Sequence, residues 1–198
     1  MKRSAVIFIC VVTITAFIAP LETIGQARWS LDLRGSVDFP TQSLGEADLN
    51  TGFGIEPTIT YRFMPHLGVY AGWGWHQFTT DDMVVGNDMD VEETGYTFGL
   101  QFTHPIEGTS LSYFLRAGGV HNHIEVENDE GDITADSGHG FGWQAEAGIV
   151  VSMNDHWSLM PGVRYRALSR DLEIENVTTN VDLNYVSVGV SFSRSLGK

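Results

Sequence analysis

Eight charged residues sit at positions that alternate with apolar neighbours: Asp32, Arg34, Glu56, Arg62, Arg116, Glu146, Arg164 and Arg166. Guanidinium groups gathered with carboxylates away from bulk water have two chemical uses. One is an anion path or gate through a narrow pore. The other is a paired network that fills an enclosed space and fixes the register of the elements around it. Filling is the expectation here, because an unpaired charge under poor solvation costs several kcal/mol.

A second constellation is His121, His123, Ser137 and His139. Imidazoles on neighbouring elements suit a transition metal, but polar residues at a rim are ordinarily solvated, so no metal and no cofactor are expected. The acidic runs at 81–93 and 125–136 offer oxygen ligands without the spacing of a calcium loop, and read as solvated surface. Glycines recur as G-x-G, but none opens a helix, which excludes phosphate cradling. No catalytic residues are assigned.

The ends and the composition narrow the setting. Lys2 and Arg3 precede an uncharged run over residues 5–19, Pro20 closes it, and Gly25-Gln26-Ala27 follows. That is the order of a secretory signal peptide cleaved after Ala27, leaving one domain over residues 28–198. The one cysteine, Cys10, falls inside the run, so the exported chain has no disulfide. Without Lys2, Arg3 and Glu22 the chain holds 9 basic and 24 acidic residues, a formal charge of −15. Nucleic acid is excluded as a partner, since phosphate binding needs a cationic surface.

The elements that must position these residues are strands. Residues 52–63 alternate strictly: Phe53, Ile55, Pro57, Ile59, Tyr61 and Phe63 share one face, while Gly52, Gly54, Glu56, Thr58, Thr60 and Arg62 share the other. Seven more stretches alternate in the same way, at 29–37, 67–78, 94–103, 111 onward, 139–153, 157–168 and up to Phe192. Three tight connections, at Met64 to His66, near Pro105 and at Asn154 to His156, alternate with four long ones, and the fourth is placed at 169–181. The pattern predicts an all-β chain, an eight-stranded antiparallel up-and-down transmembrane β-barrel with its charged residues in the lumen. From Phe53 to Tyr61 the apolar band rises roughly 20 Å, near the height of about 25 Å expected of such a band.

Aromatic residues mark both borders of that band. Trp29, Tyr61, Phe63, Phe102, Tyr113, Trp157 and Phe192 fall at the tight-turn ends of their strands, and Phe53, Trp73, Trp75, Tyr96, Trp143 and Tyr165 at the other ends. A soluble sandwich would need a lysine- and glutamate-rich outer face, whereas Lys198 is the one lysine after residue 27. Irregularities are expected at three places: bulges at Pro57 and Pro161, which lack a ladder donor, and another after Gly119, where the alternation blurs. The parity also reverses at Leu183.

The segment TGFGIEPTITYRFMPHLGVYAGWGW and the last strand YVSVGVSF resemble the small outer-membrane barrels of Gram-negative bacteria, the group containing the transmembrane domain of outer membrane protein A and outer membrane protein X. The resemblance covers essentially all of 28–198. It implies an outer-membrane location and a monomer among lipid and lipopolysaccharide. It also implies an assembly signal at Gly189 and Phe192 read by the barrel-assembly machinery, although six residues follow that aromatic here. Activity is then expected in the outward loops, as adhesion, an extracellular ligand or envelope integrity, with no cell-wall-binding domain after the barrel. Some similar barrels are lipid A deacylases, with a lipid-facing His and Ser two apart. His121 takes the first place here, but His123 stands where the serine belongs.

Overall fold

The structure is a computed structural model that describes residues 28–44, 48–80, 90–127, 133–174 and 177–197, with the side chains of 172–179 excepted. The expected signal segment and its cleavage after Ala27 lie outside the described residues, as do the central residues of the long connections, 81–89 and 128–132. Nine strands follow in order: β1 Trp29–Pro40, β2 Gly52–Arg62, β3 Leu67–Thr79, β4 Asp90–Pro105, β5 Leu111–Glu127, β6 Ile133–Asp136, β7 Gly140–Ser152, β8 Trp157–Ile174 and β9 Val177–Leu196.

Eight of them close into one antiparallel barrel. Each long strand pairs with its neighbours in the chain, β5 passes over the short β6 to pair with β7, and β1 pairs with β9 through Trp29↔Leu196 to Pro40↔Tyr185. The wall therefore has no unpaired edge. The four-residue β6 adds to the upper end of β5, with Glu125 opposite Asp136.

Short polar turns hold the tight end. Asn154 Oδ1 accepts from the backbone N–H groups of His156 and Trp157 at 2.9 and 3.0 Å, and Gly108, at φ 76°, takes a left-handed conformation that a side chain would disfavour.

The strands run past the band read from the sequence. β8 has 18 residues and climbs roughly 45 Å at a tilt near 40°. Residues 169–174 and 177–181 are thus strand, not loop: β8 and β9 stay paired from Trp157↔Arg194 up to Ile174↔Val177. The four residues after Phe192 extend the wall too, with Ser193 to Leu196 paired to β1.

None of the three expected bulges forms. Around Gly119 the ladders to β4 and β7 run without a shift. Pro57 stays paired with Leu33 on the β1 side, and the β2–β3 ladder resumes in the same register at Thr58↔Gly72 after a gap at residues 56 and 57. Pro161 behaves alike, paired with Val190 on one side while the β7–β8 ladder has a gap at residues 160 and 161 and resumes in the same register at Val151↔Leu159. A strand residue sends its N–H to one neighbour only, so a missing donor opens one ladder and leaves the other intact.

What changes along the strands is the chemistry of the two faces. Between the aromatic borders the outer face is apolar and the lumen polar. Above the upper border the lumen is apolar, with Phe78, Val91, Val120, Ile124, Leu168, Val181, Leu183 and Tyr185 buried in one cluster. The outer face there carries His121, His123, Glu125, Glu127 and Glu92. This inversion blurred the pattern after Gly119 and reversed it at Leu183, which points inward like Tyr185 and Ser187.

Candidate functional site

Side chains from six strands meet in the lumen and form a stack of ion pairs. At its base, Asp32 on β1 accepts from Arg116 on β5 at 2.6 Å and from Ser193 at 2.5 Å. Arg116 also stands 3.9 Å from Glu146, which accepts from Arg34 at 2.6 Å. Arg164 on β8 bridges the centre, donating two parallel bonds to Glu56 at 2.8 and 2.9 Å and two to Glu146 at 3.0 and 3.3 Å. Arg166 then joins Glu56 at 2.8 Å to Glu93 at 2.7 Å. Above it Glu93 accepts from Tyr185 and Asn122, and Asn122 from Arg170.

The core of this stack balances: Arg34, Arg116, Arg164 and Arg166 face Asp32, Glu56, Glu93 and Glu146. All eight are buried. Planar guanidinium forks suit such a place, since each can hold two carboxylates at once. Aromatic faces complete the packing, with Arg116 lying 5.2 Å from the Tyr70 ring centre and Arg166 5.8 Å from that of Tyr185.

Two glycines make room for Tyr70. Gly99 and Gly118 face each other across the β4–β5 ladder, and a Cβ on Gly118 would fall 2.7 Å from the Tyr70 hydroxyl and closer still to Phe98 O.

Of the eight charged residues singled out in the sequence, seven are brought together. Arg62 is not: it lies exposed at the tight-turn mouth, beside a serine- and threonine-lined cavity of about 260 Å³ below the stack. Glu93, Asp38, His76 and Arg170 also belong to the polar interior; His76 has the inward parity its strand predicts, and none of the four was among the eight. Asp38 and His76 form their own pair at 2.7 Å. Glu93 keeps the inward parity of Thr97 and Gln101, a signal hidden by treating residues 81–93 as loop.

The belts are placed on the outer wall. Trp29 contacts Tyr61 at 4.6 Å and Trp157 stacks on Phe192 at 4.6 Å near the tight turns, and Phe53 meets Trp75, and Trp143 meets Tyr165, each at 5.4 Å, near the upper border. Tyr96 and Trp73 pair beside them, Phe102 lies 6.0 Å from Tyr113, and Phe63 is exposed at the lower end. Gly189 faces Arg34, where a Cβ would crowd the guanidinium at 2.8 Å.

The histidines lie above the upper belt. His121 and His123 on β5 face outward, with the His139 ring 5.3 and 4.5 Å away. Ser137 Oγ accepts from Ile124 N and donates to Gly138 O, both at 2.9 Å. Beside them Glu92 accepts from the Trp75 indole at 3.0 Å. Burial holds its carboxyl above the usual glutamate range, with Glu127, Glu125 and Asp90 adding repulsion.

A closed antiparallel wall with an apolar belt-bounded exterior and a polar interior is that of an outer-membrane β-barrel protein. The chain belongs to the outer membrane protein beta-barrel domain family, which it matches over residues 8–193, and its place is the Gram-negative outer membrane. No curated protein matches the sequence. Among solved structures, neisserial surface protein A shares the fold at a TM-score of 0.58 and 18% identity, over 85% of this chain and 98% of that one. The Escherichia coli outer membrane protein W gives 0.56 at 14% identity over 87% and 100%, and OprG from Pseudomonas aeruginosa 0.55 at 18% over 85% and 97%.

Proposed function

We propose that this barrel passes no solute through its lumen and acts at its outward end, as a non-enzymatic surface protein contributing to envelope integrity or attachment. The stack from Asp32 to Arg166 carries this reading. It spans the lumen in paired contacts of 2.6 to 3.0 Å, and the apolar cluster around Phe78 and Leu183 caps it. A narrow anion path, the other use of these arginines, requires the buried pairs to part, and each parting leaves charges under poor solvation. In this reading the protein is a monomer among lipid and lipopolysaccharide, delivered by the barrel-assembly machinery through Gly189 and Phe192. Its ligand meets the acidic connections above the membrane.

The test is conductance. Refolded protein in planar bilayers should give no steady current at neutral pH, in potassium chloride or in a large-anion salt. A stable open channel in the unaltered protein would overturn the proposal in favour of the pore.

A further inference from the structure

The outward histidines lie where the wall has left the membrane and where two other elements close onto β5. His123 Nδ1 stands 3.8 Å from Asp136 Oδ1, and Asp136 pairs with Glu125, the next outward residue of β5. One ligand atom from each of His123, Glu125 and Asp136 lies within 4.8 Å of the others. His139 adds a second imidazole, its ring 4.5 Å from that of His123. We propose that His123, Glu125, Asp136 and His139 form a binding site for a first-row divalent metal of the zinc class, which ties β6 and the start of β7 to the outer wall of β5.

The donor set argues for that class. Two imidazoles and two carboxylates suit zinc, whereas calcium and magnesium favour oxygen alone. Ligands about 2.1 Å from one tetrahedral ion sit about 3.4 Å apart, so His123, Glu125 and Asp136, within 4.8 Å of one another, close onto an ion by side-chain rotation, and His139 joins them by turning a ring nitrogen toward the same point. The framework is held independently of any ion. Ser137 N donates to Ile124 O at 3.0 Å and Ile124 N to Ser137 Oγ at 2.9 Å, which docks the residue between Asp136 and His139 onto β5. Gly138 N donates to Asp136 Oδ1 at 2.8 Å and orients that carboxylate. The crowding of Glu92, Glu125 and Glu127 alongside leaves a surplus of negative charge that a dication relieves.

The experiment uses untagged, refolded chain in detergent, stripped with chelator and titrated by calorimetry with Zn²⁺ alone at pH 7.5, then with Ca²⁺. The expected result is one saturable Zn²⁺ equivalent, an affinity reduced at least about tenfold by His123→Ala or by Asp136→Asn, and slower amide exchange across β6 when zinc is present. The double variant His66→Ala/His104→Ala, which removes a stacked histidine pair at the opposite mouth, should bind as the parent does. Heat-modifiable gel mobility certifies that each variant is folded, and Asp136→Asn carries the test if His123→Ala is not. Absence of saturable zinc binding, or equal loss in the control, overturns the proposal. So does Ca²⁺ binding that is abolished by Glu92→Gln and untouched by His123→Ala, which would assign the ion to Glu92, Glu125 and Glu127.

Discussion

Replacing Arg164 by methionine keeps the unbranched stem of the side chain and removes the guanidinium and its charge from the centre of the stack. Four bonds are lost, two to Glu56 at 2.8 and 2.9 Å and two to Glu146 at 3.0 and 3.3 Å. Both carboxylates stay buried, but neither is left alone: Glu56 keeps Arg166 at 2.8 Å and Glu146 keeps Arg34 at 2.6 Å. Breaking a buried pair by deleting one partner costs about 3–5 kcal/mol, and the remaining arginines put this case near the lower end, about 3 kcal/mol. Three arginines then face four carboxylates, so adding Glu146→Gln restores the balance. The double variant should be less destabilised than the two single changes summed, by at least about 1 kcal/mol. The assay is reversible urea unfolding in lipid vesicles, followed by tryptophan fluorescence. An Arg164→Met barrel within about 0.5 kcal/mol of the parent, still heat-modifiable, would refute the claim that these charges are mutually dependent.

Gly118→Ala should destabilise the barrel by about 1–3 kcal/mol or block its folding, because the new Cβ meets backbone and the Tyr70 hydroxyl; Gly35→Ala, with nothing within 4 Å, should be silent by the same gel-shift and unfolding measurements. Leu183→Ala, in the apolar upper lumen, should cost about 2–5 kcal/mol and appear first as faster amide exchange in the upper β8–β9 ladder. For Glu92 the folded state holds a proton more readily than the unfolded chain, so its contribution to stability falls as pH rises out of the ordinary glutamate range. In chelator, Glu92→Gln should therefore raise Tm at pH 8 and leave it unchanged below about pH 4. An equal effect at both values would show that the carboxyl's charge is not responsible.

The sequence is legible where one rule of polarity holds along a strand. Between the belts, alternate residues answer to lipid and to a polar lumen, so the parities of Asp32, Glu56 and Arg164 are read directly. Above the belts the period persists while its meaning reverses. Val120, Ile124 and Leu183 face inward there, and a reader expecting apolar residues outside sees noise, a bulge or a loop. Glu93 and Arg170 keep the mid-barrel rule, inward and polar, and are hidden for a different reason: both fall in stretches, 81–93 and 169–181, that read as loop. Which carboxylate each arginine would take is settled by cross-barrel distance, as in Arg116 and Asp32 on opposite walls, and spacing along the chain carries no trace of it.

The reversal also fixes how deep the protein sits. A barrel with one uniform outer face slides against the bilayer until headgroup and tail contacts balance, and a few ångströms of travel change little. Here the outer chemistry changes along the strands, from Tyr96 to Glu92 on β4 and from Ala117 to His121 and His123 on β5. Sinking by two residues, roughly 5 Å, would carry the imidazoles and carboxylates of β4 and β5 into hydrocarbon, and rising by as much would strand aromatic and aliphatic side chains in water. The sheet is thereby indexed to the membrane surface like a float with a painted waterline. Whatever the upper strands display is held at a constant height above the lipid.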